Sequence, residues 1–263
     1  MRIVRFSPGP NSGLGTDPLF GLLEDDGTNI SVIAGDPIYA GVSKTGAVTQ
    51  LSDVRLLAPV IPRSKVVCIG KNYADHAAEM NSEVPTEPII FLKPNTSVIG
   101  PMDTIIWPSM SERIDHEAEL AIVIGRICKD VPRERVNDVI FGYTIANDVT
   151  ARDLQKKDGQ WSRAKGFDTF CPIGPWIETD FVPGTQRIFS KVNDELRQDA
   201  TLDQMIFNVP DIVVFISQVM TLLPGDVIIT GTPAGIGPLV ARGSVVVGIE
   251  GLGQLTNKVS AKP

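Results

Sequence analysis

The sequence predicts a mixed α+β fold in which strands dominate. Its apolar residues fall in short runs bounded by Gly, Pro and Asp-Gly turns, which is the pattern of strands and not of long helices. The 24 Gly and 20 Pro occur without an internal repeat, which implies many turns in a folded body. Three segments combine helical spacing with capping or stop residues, so helices are few. At 263 residues the chain suffices for one large β-rich domain and a small appendage.

Taken in order, residues 1–58 alternate β-like runs at 2–6, 19–24, 29–34 and 54–58 with turn signals and carry no evident chemistry. They read as a small N-terminal β domain. Pro59 and Pro62 then precede the apolar run 66–70, so the main domain is expected over residues 59–263. Helices are expected at 132–139, after Asp130 as N-cap, and at 150–157, where Thr150 and Asp153 have capping-box spacing. A third at 210–222 sets Ile212, Val213, Phe215, Ile216, Val219 and Met220 on one face and stops at Pro224-Gly225, as a core-packing helix would.

Composition excludes several classes of function. Apolar residues at 43% and charged residues at 21% are ordinary globular values, and the net charge is -7. Lys and Arg are scattered, so there is no basic stripe for a nucleic acid. A small anionic substrate stays compatible with this balance, because a local cation outweighs the mean field. No segment approaches the roughly 18 apolar residues of a membrane span, and residues 1–8 lack a signal peptide's apolar core. A cytoplasmic protein with no membrane partner is expected. Cys68, Cys128 and Cys171 lie far apart without C-x-x-C spacing and read as buried thiols, not as disulfides or zinc ligands. A nucleophile elbow, a Walker loop and a metal-binding His pair are all missing, which removes serine-hydrolase, nucleotide-hydrolase and zinc-peptidase chemistry.

The most informative feature is a set of three acids that end or interrupt buried-strand patterns. Glu117 and Glu119 stand two apart at the head of an apolar run and share a face if that run is a strand. Asp148 stands at the carboxyl end of a second such run, 141–147. Crowded, partly buried carboxylates repel each other and lose hydration unless a cation compensates. Three oxygen ligands without a Cys or His pair favour Mg²⁺ or Mn²⁺ over zinc. The competing reading is of acids at a solvated strand end, paired with Arg or Lys.

Other constellations flank these acids. His76 and Glu79 are three apart in a polar segment that can be helical, so a carboxylate can orient the imidazole as a general base; an exposed helical ion pair is the alternative. Residues 81–88 lack periodicity and suit either a lid or a surface loop. Arg152 and Gln155 share a helix face and suit a substrate carboxylate. Lys165, between an aromatic and a glycine, suits a desolvated ammonium that stabilises enolate or carboxylate charge, or a snorkelling surface lysine. Gly231-Thr232-Pro233-Ala234-Gly235 follows a strand, but its prolines preclude a dinucleotide-binding helix start. It suits an anion-binding loop or a tight turn.

Six motifs in order resemble the fumarylacetoacetate hydrolase family: Gly70-Lys71-Asn72-Tyr73 with His76, Phe91-Leu92-Lys93-Pro94, Asp115 to Leu120, Asn147 to Gln155, Lys165-Gly166-Phe167-Asp168, and Gly231 to Gly235. The resemblance covers roughly residues 60–255 and is strongest to the bacterial branch of 2-hydroxyhepta-2,4-diene-1,7-dioate isomerases, 5-oxopent-3-ene-1,2,5-tricarboxylate decarboxylases, acylpyruvases and oxaloacetate decarboxylases. It implies layered, rolled β-sheets around a metal site, commonly in a homodimer. It implies Glu117, Glu119 and Asp148 as Mg²⁺ or Mn²⁺ ligands and His76, Glu79 and Lys165 as catalytic residues. Lys71, Tyr73, Arg152, Gln155 and Thr232 are the implied substrate contacts. The implied chemistry acts on a small 2-oxo or 2-hydroxy-enoic dicarboxylate through an enolate that the cation stabilises, in aromatic catabolism. Isomerase or decarboxylase activity leads; oxaloacetate decarboxylation or acylpyruvate hydrolysis is the runner-up, and a non-catalytic metabolite-binding protein is the rival from another class.

Overall fold

The computed structural model describes residues 1–10 and 12–263, and in it strands dominate as expected. The main path of the largest sheet runs Lys44–Gln50, Asn29–Ile33, Leu19–Leu23, Arg2–Pro8, Cys171–Glu178, Ile140–Asn147, Ala118–Ile124, Val227–Ile229, Val66–Gly70, Ile89–Lys93. Its neighbours are antiparallel except Val227–Ile229 beside Val66–Gly70. A second sheet orders Glu195–Thr201, Arg187–Val192, Ser244–Ile249, Gly253–Val259 and Thr104–Ile105. A small third sheet joins Thr150–Ala151, Ile114–His116 and Gly237–Pro238.

The strand Ala118–Ile124 positions the site because it is buried on both faces. Leu120, Ile122 and Ile124 pack in one cluster with Val247, Ile249 and Leu255 of the second sheet and with Ile212, Val213 and Ile216 of the helix Val209–Val219. Ala121 and Val123 point the other way, into a cluster with Cys68, Ile229, Cys171 and Ile173. Double burial explains why this stretch reads as a near-continuous apolar run. Each fully buried Leu or Ile contributes about 1.5–3 kcal/mol, so the strand that carries Glu119 is held in a dry, close-packed interior.

Residues 1–58 do not form a sheet of their own. Arg2–Pro8 pairs with Cys171–Glu178 in the register Arg2↔Glu178 and Ile3↔Ile177, which makes the N-terminal strands an extension of the large sheet. The strand Lys44–Gln50 escapes the sequence reading because Lys44, Thr45, Gly46 and Gln50 face solvent at the sheet edge and the run shows no apolar alternation.

The expected helices form with shifted limits. Val209–Val219 starts at Asn208, whose side chain caps Asp211 N in a reciprocal box, with Pro210 in the first turn. Val219 is 57% exposed, contrary to its assigned face, and Ser217 is buried instead, accepting from Val131 N and donating to Val214 O. The expected 132–139 helix is the 3-10 helix Arg133–Asp138, capped at Pro132 and not at Asp130, which takes a positive φ. The expected 150–157 helix begins only at Arg152. Thr150 is drawn into the small third sheet, and Asp153 accepts from Ser111 Oγ and Glu112 N, so no capping box forms between them. Cys68 and Cys171 are buried as expected, whereas Cys128 is half-buried, and all three are free thiols. Among the described residues no helix is long and apolar enough to cross a membrane.

Candidate metal centre and active site

Two adjacent strands converge on the three acids. Glu117 lies between the strands Ile114–His116 and Ala118–Ile124, and Ala118 pairs with Asn147 across the sheet. Glu117 N donates to Asn147 Oδ1 at 3.0 Å, and Asp148 N donates to Glu117 O at 2.9 Å. These bonds tie the strand carrying Glu119 to the strand end carrying Asp148. Glu117, Glu119 and Asp148 each turn one oxygen to a common point, all within 4.8 Å of one another, and all three residues are buried.

Cations surround two of the three. Lys165 Nζ donates to Glu117 Oε2 at 2.8 Å and to Asp148 Oδ2 at 2.6 Å. Arg152 donates from Nη2 to Glu117, from Nε to Asp115 Oδ2 at 3.0 Å, and from Nη1 to Gln155 Oε1 at 2.7 Å. Lys93 pairs with Asp148 Oδ1 and donates to Val149 O at 3.2 Å. Glu119 has no ion-pair partner among the described residues; its Oε2 accepts from Gly231 N at 2.6 Å. Burial, with the nearby Asp148 and Glu117 charges, pushes its carboxyl well above the usual range. Burial also acts to raise Glu117, but Lys165 and Arg152 outweigh it and hold that group well below its ordinary value. Burial disfavours the Lys165 ammonium, yet Asp148 and Glu117 overcome this and raise its pKa, so Lys165 is a cation at neutral pH.

A divalent cation fits this donor set. Three oxygens converge, one belongs to a buried carboxylate without a cationic partner, and hard oxygen donors suit Mg²⁺ or Mn²⁺. The solvated-strand-end alternative fails on burial, since all three acids are buried, while the pairing with Arg and Lys that it expected is present at Glu117 and Asp148 and missing at Glu119 among the described residues. Glu119 also depends on Gly231, which has φ +95° and stands where a Cβ would lie 2.6 Å from Asn72 Cβ. Gly231→Ala should therefore destabilise the fold by roughly 1–3 kcal/mol from the backbone conformation alone and weaken Mn²⁺ binding. Urea unfolding and metal titration check this; wild-type values in both would show that the turn adapts.

A cavity of about 200 Å³ opens on the carboxylates, lined by Glu117, Glu119, Lys165, Arg152, Gln155 and Thr232. Lys71, His76 and Lys156 add polar groups, while Ile69, Phe91, Met80 and Trp161 form an apolar wall. His76 sits on the short helix Ala74–Glu79 with Nδ1 at 3.2 Å from Glu79 Oε2, and Glu79 Oε1 accepts from Gly235 N. Glu79 is not in the cavity wall and touches it through His76. Tyr73 is also outside the wall; its hydroxyl is buried without a partner among the described residues, and burial with the Glu119 charge raises its pKa. The Arg152 guanidinium, expected to grip a ligand, is already committed to Glu117, Asp115 and Gln155.

Lys93, Asp115, Asn147 and Gln198 bind the site's side chains or backbone and were not singled out from the sequence. The strand-terminal motif Phe91-Leu92-Lys93-Pro94 was the available signal for Lys93. Gln198 offers none, since it sits on a strand whose other residues are largely exposed.

The sequence matches the fumarylacetoacetate (FAA) hydrolase C-terminal family over residues 65–260 and the Rv2993c-like N-terminal family over residues 1–59. A structure of 5-carboxymethyl-2-hydroxymuconate delta-isomerase from Mycobacterium smegmatis is 48% identical, with TM-score 0.90 over 100% of both chains. One of 2-hydroxyhepta-2,4-diene-1,7-dioate isomerase from Mycobacterium marinum is 48% identical, with TM-score 0.88 over 100% of this chain and 99% of that one. The rat mitochondrial oxaloacetate tautomerase Fahd2a is 44% identical over 219 residues, 79% of this chain and 70% of that protein. With its ordered motifs, buried acidic triad and these relatives, the chain belongs to the fumarylacetoacetate hydrolase family of enzymes.

Proposed function

We propose that the chain is a Mg²⁺- or Mn²⁺-dependent isomerase or decarboxylase of small 2-oxo or 2-hydroxy-enoic dicarboxylates, of the 2-hydroxyhepta-2,4-diene-1,7-dioate type, in aromatic catabolism. One observation carries the reading: a single small cavity brings Glu117 and Glu119, two of the three clustered acids, together with Lys165, His76 and Thr232 against an apolar wall, with Asp148 directly behind them. The enzyme works as a cytoplasmic homodimer, with residues 59–263 as the catalytic domain and 1–58 as the N-terminal domain.

A bound divalent cation would supply Lewis acidity toward the keto and carboxylate oxygens of a 2-oxo acid. The chain's own groups do the rest. Lys165, fixed as an ammonium, donates toward the oxygen on which negative charge develops. The Thr232 hydroxyl donates to the substrate carboxylate, and Lys71 and Gln155 orient the ligand. His76, with Nδ1 held by Glu79, accepts a proton at Nε2 and returns it to another carbon, which is isomerisation. The apolar wall of Phe91 and Trp161 excludes water from the charged end.

A second reading, turnover of oxaloacetate, is favoured by the likeness to an oxaloacetate tautomerase. Acylpyruvate hydrolysis draws on the same His76–Glu79 pair: the imidazole takes a proton from water, the water oxygen bonds to the second carbonyl carbon, and the carbon-carbon bond breaks to an enolate that takes up the proton. The test is to strip the metal, restore Mn²⁺, and follow 2-hydroxyhepta-2,4-diene-1,7-dioate and oxaloacetate side by side, corrected for Mn²⁺ alone. The dienedioate should be consumed with kcat/KM above ~10⁴ M⁻¹s⁻¹. Turnover of oxaloacetate alone would establish the second reading, and turnover of neither would sink both.

A further inference from the structure

A buried glutamine on the second sheet connects the acidic triad to the Thr232 loop. Gln198 is fully buried and does not line the cavity. Its Oε1 accepts from Ala118 N at 3.0 Å and lies 3.2 Å from His116 Nδ1. Its Nε2 donates to Pro233 O at 2.8 Å and to Thr232 Oγ1 at 2.7 Å. The two backbone partners fix the amide's orientation, because a peptide N–H can only donate and a peptide C=O can only accept. The side-chain partners' roles follow. His116 carries its proton on Nδ1, since the amide oxygen it faces can only accept. Thr232 Oγ1 must accept from Gln198.

That acceptance leaves the hydroxyl with one hydrogen to give. Among the described residues Thr232 Oγ1 donates to no group of the chain, although the residue is only 2% exposed and belongs to the cavity wall. We propose that Gln198 is a positioning residue that fixes the Thr232 hydroxyl as a donor into the cavity, so that the site selects a carboxylate oxygen there. This rests on the reading of Thr232 as a substrate contact. The same amide is bonded on both sides of Glu117, to His116 and to Ala118 N, and so sets the spacing between the ligand strand and the Thr232 loop. A ligand that bridges the metal and Thr232 meets a preset geometry and does not have to order it.

The test uses Mn²⁺-saturated full-length protein titrated with oxalate, a dianion that is not turned over, by calorimetry. Gln198→Glu keeps the length of the side chain but turns the donor at Thr232 into an acceptor, which draws the hydroxyl hydrogen away from the cavity. Oxalate affinity should fall roughly 10-fold or more in this variant and comparably in Thr232→Val. In the T232V background, Q198E should weaken oxalate by no more than about 3-fold, and Mn²⁺ alone should bind Q198E at least as tightly as wild type. Wild-type oxalate affinity in Q198E overturns the proposal while Thr232 stands. Equal losses in both backgrounds, or a parallel loss of Mn²⁺ binding, overturn it as a general charge or packing effect. Wild-type affinity in T232V would remove the Thr232 contact itself, and with it that part of the functional reading. If Q198E does not fold, the neutral Gln198→Met serves: its loss of oxalate affinity should be present with Thr232 and absent in T232V, and the same loss in both overturns the proposal.

Discussion

Glu119→Gln should abolish tight Mn²⁺ binding and lower turnover at least ~10³-fold, while the metal-free protein stays as stable as wild type or becomes more so. Glu119 is the one member of the triad without a cationic partner among the described residues, and it faces the charges of Asp148 and Glu117 in a buried setting. Its substitution removes that repulsion, and the amide oxygen can still accept from Gly231 N. In wild type, Mn²⁺ at 100 times its Kd should add ~2.7 kcal/mol of stability, a rise of roughly 5–10 °C in Tm for a chain of this size. In E119Q that rise should vanish. Melting curves with and without Mn²⁺, run beside kinetics, separate the possibilities. A site that holds metal only for the fold would show a destabilised metal-free variant. Full activity without bound metal would overturn the assignment of the triad.

The parts of this site that were legible in the sequence are those whose local pattern is broken by function. Two glutamates within an apolar strand pattern, and an aspartate at the end of another, conflict with burial unless something compensates, and that conflict is visible without a structure. Lys93 shows the limit. A lysine that ends an apolar strand looks solvated, and it is buried only because Ile89–Lys93 pairs with Val66–Gly70 and brings it to Asp148. Gln198 is further from reach, because its role depends on bonds to His116, Ala118 and Thr232 that no spacing encodes. The same cause moved the start of the helix Arg152–Asp158. Thr150 and Asp153 have the chemistry of a capping box, but a sheet partner and Ser111 compete for them and win. Tertiary contacts overrode local preference at each place where the site was assembled from distant segments.

Lys165→Met and Lys93→Met should therefore fail in opposite ways, although both lysines bind Asp148. Lys93 is 1% exposed, lies outside the cavity wall, and completes a pair sealed from solvent on both sides. Removing it leaves a buried carboxylate short of a partner, which typically costs 3–5 kcal/mol. A cation bound at the triad cannot take over the space that the Lys93 stem occupies. Its loss of stability should persist in saturating Mn²⁺, with turnover per folded molecule changed by less than ~10-fold. Lys165 lies in the cavity wall, so the negative charge of Glu117 and Asp148 that its loss exposes is what a metal neutralises. Its deletion should destabilise the metal-free protein, leave Mn²⁺ binding as tight or tighter, and let Mn²⁺ restore most of the stability. Turnover should stay low by ~10²–10³-fold even when the metal is saturating, because the preorganised donor to the developing charge is gone. Urea unfolding with and without Mn²⁺, beside kcat and KM for both variants, gives the comparison. If K165M kept wild-type turnover, the ammonium would be a counter-ion only. If Mn²⁺ instead restored the stability of K93M, the buried pair would belong to the metal site and the division of labour between the two lysines would be wrong.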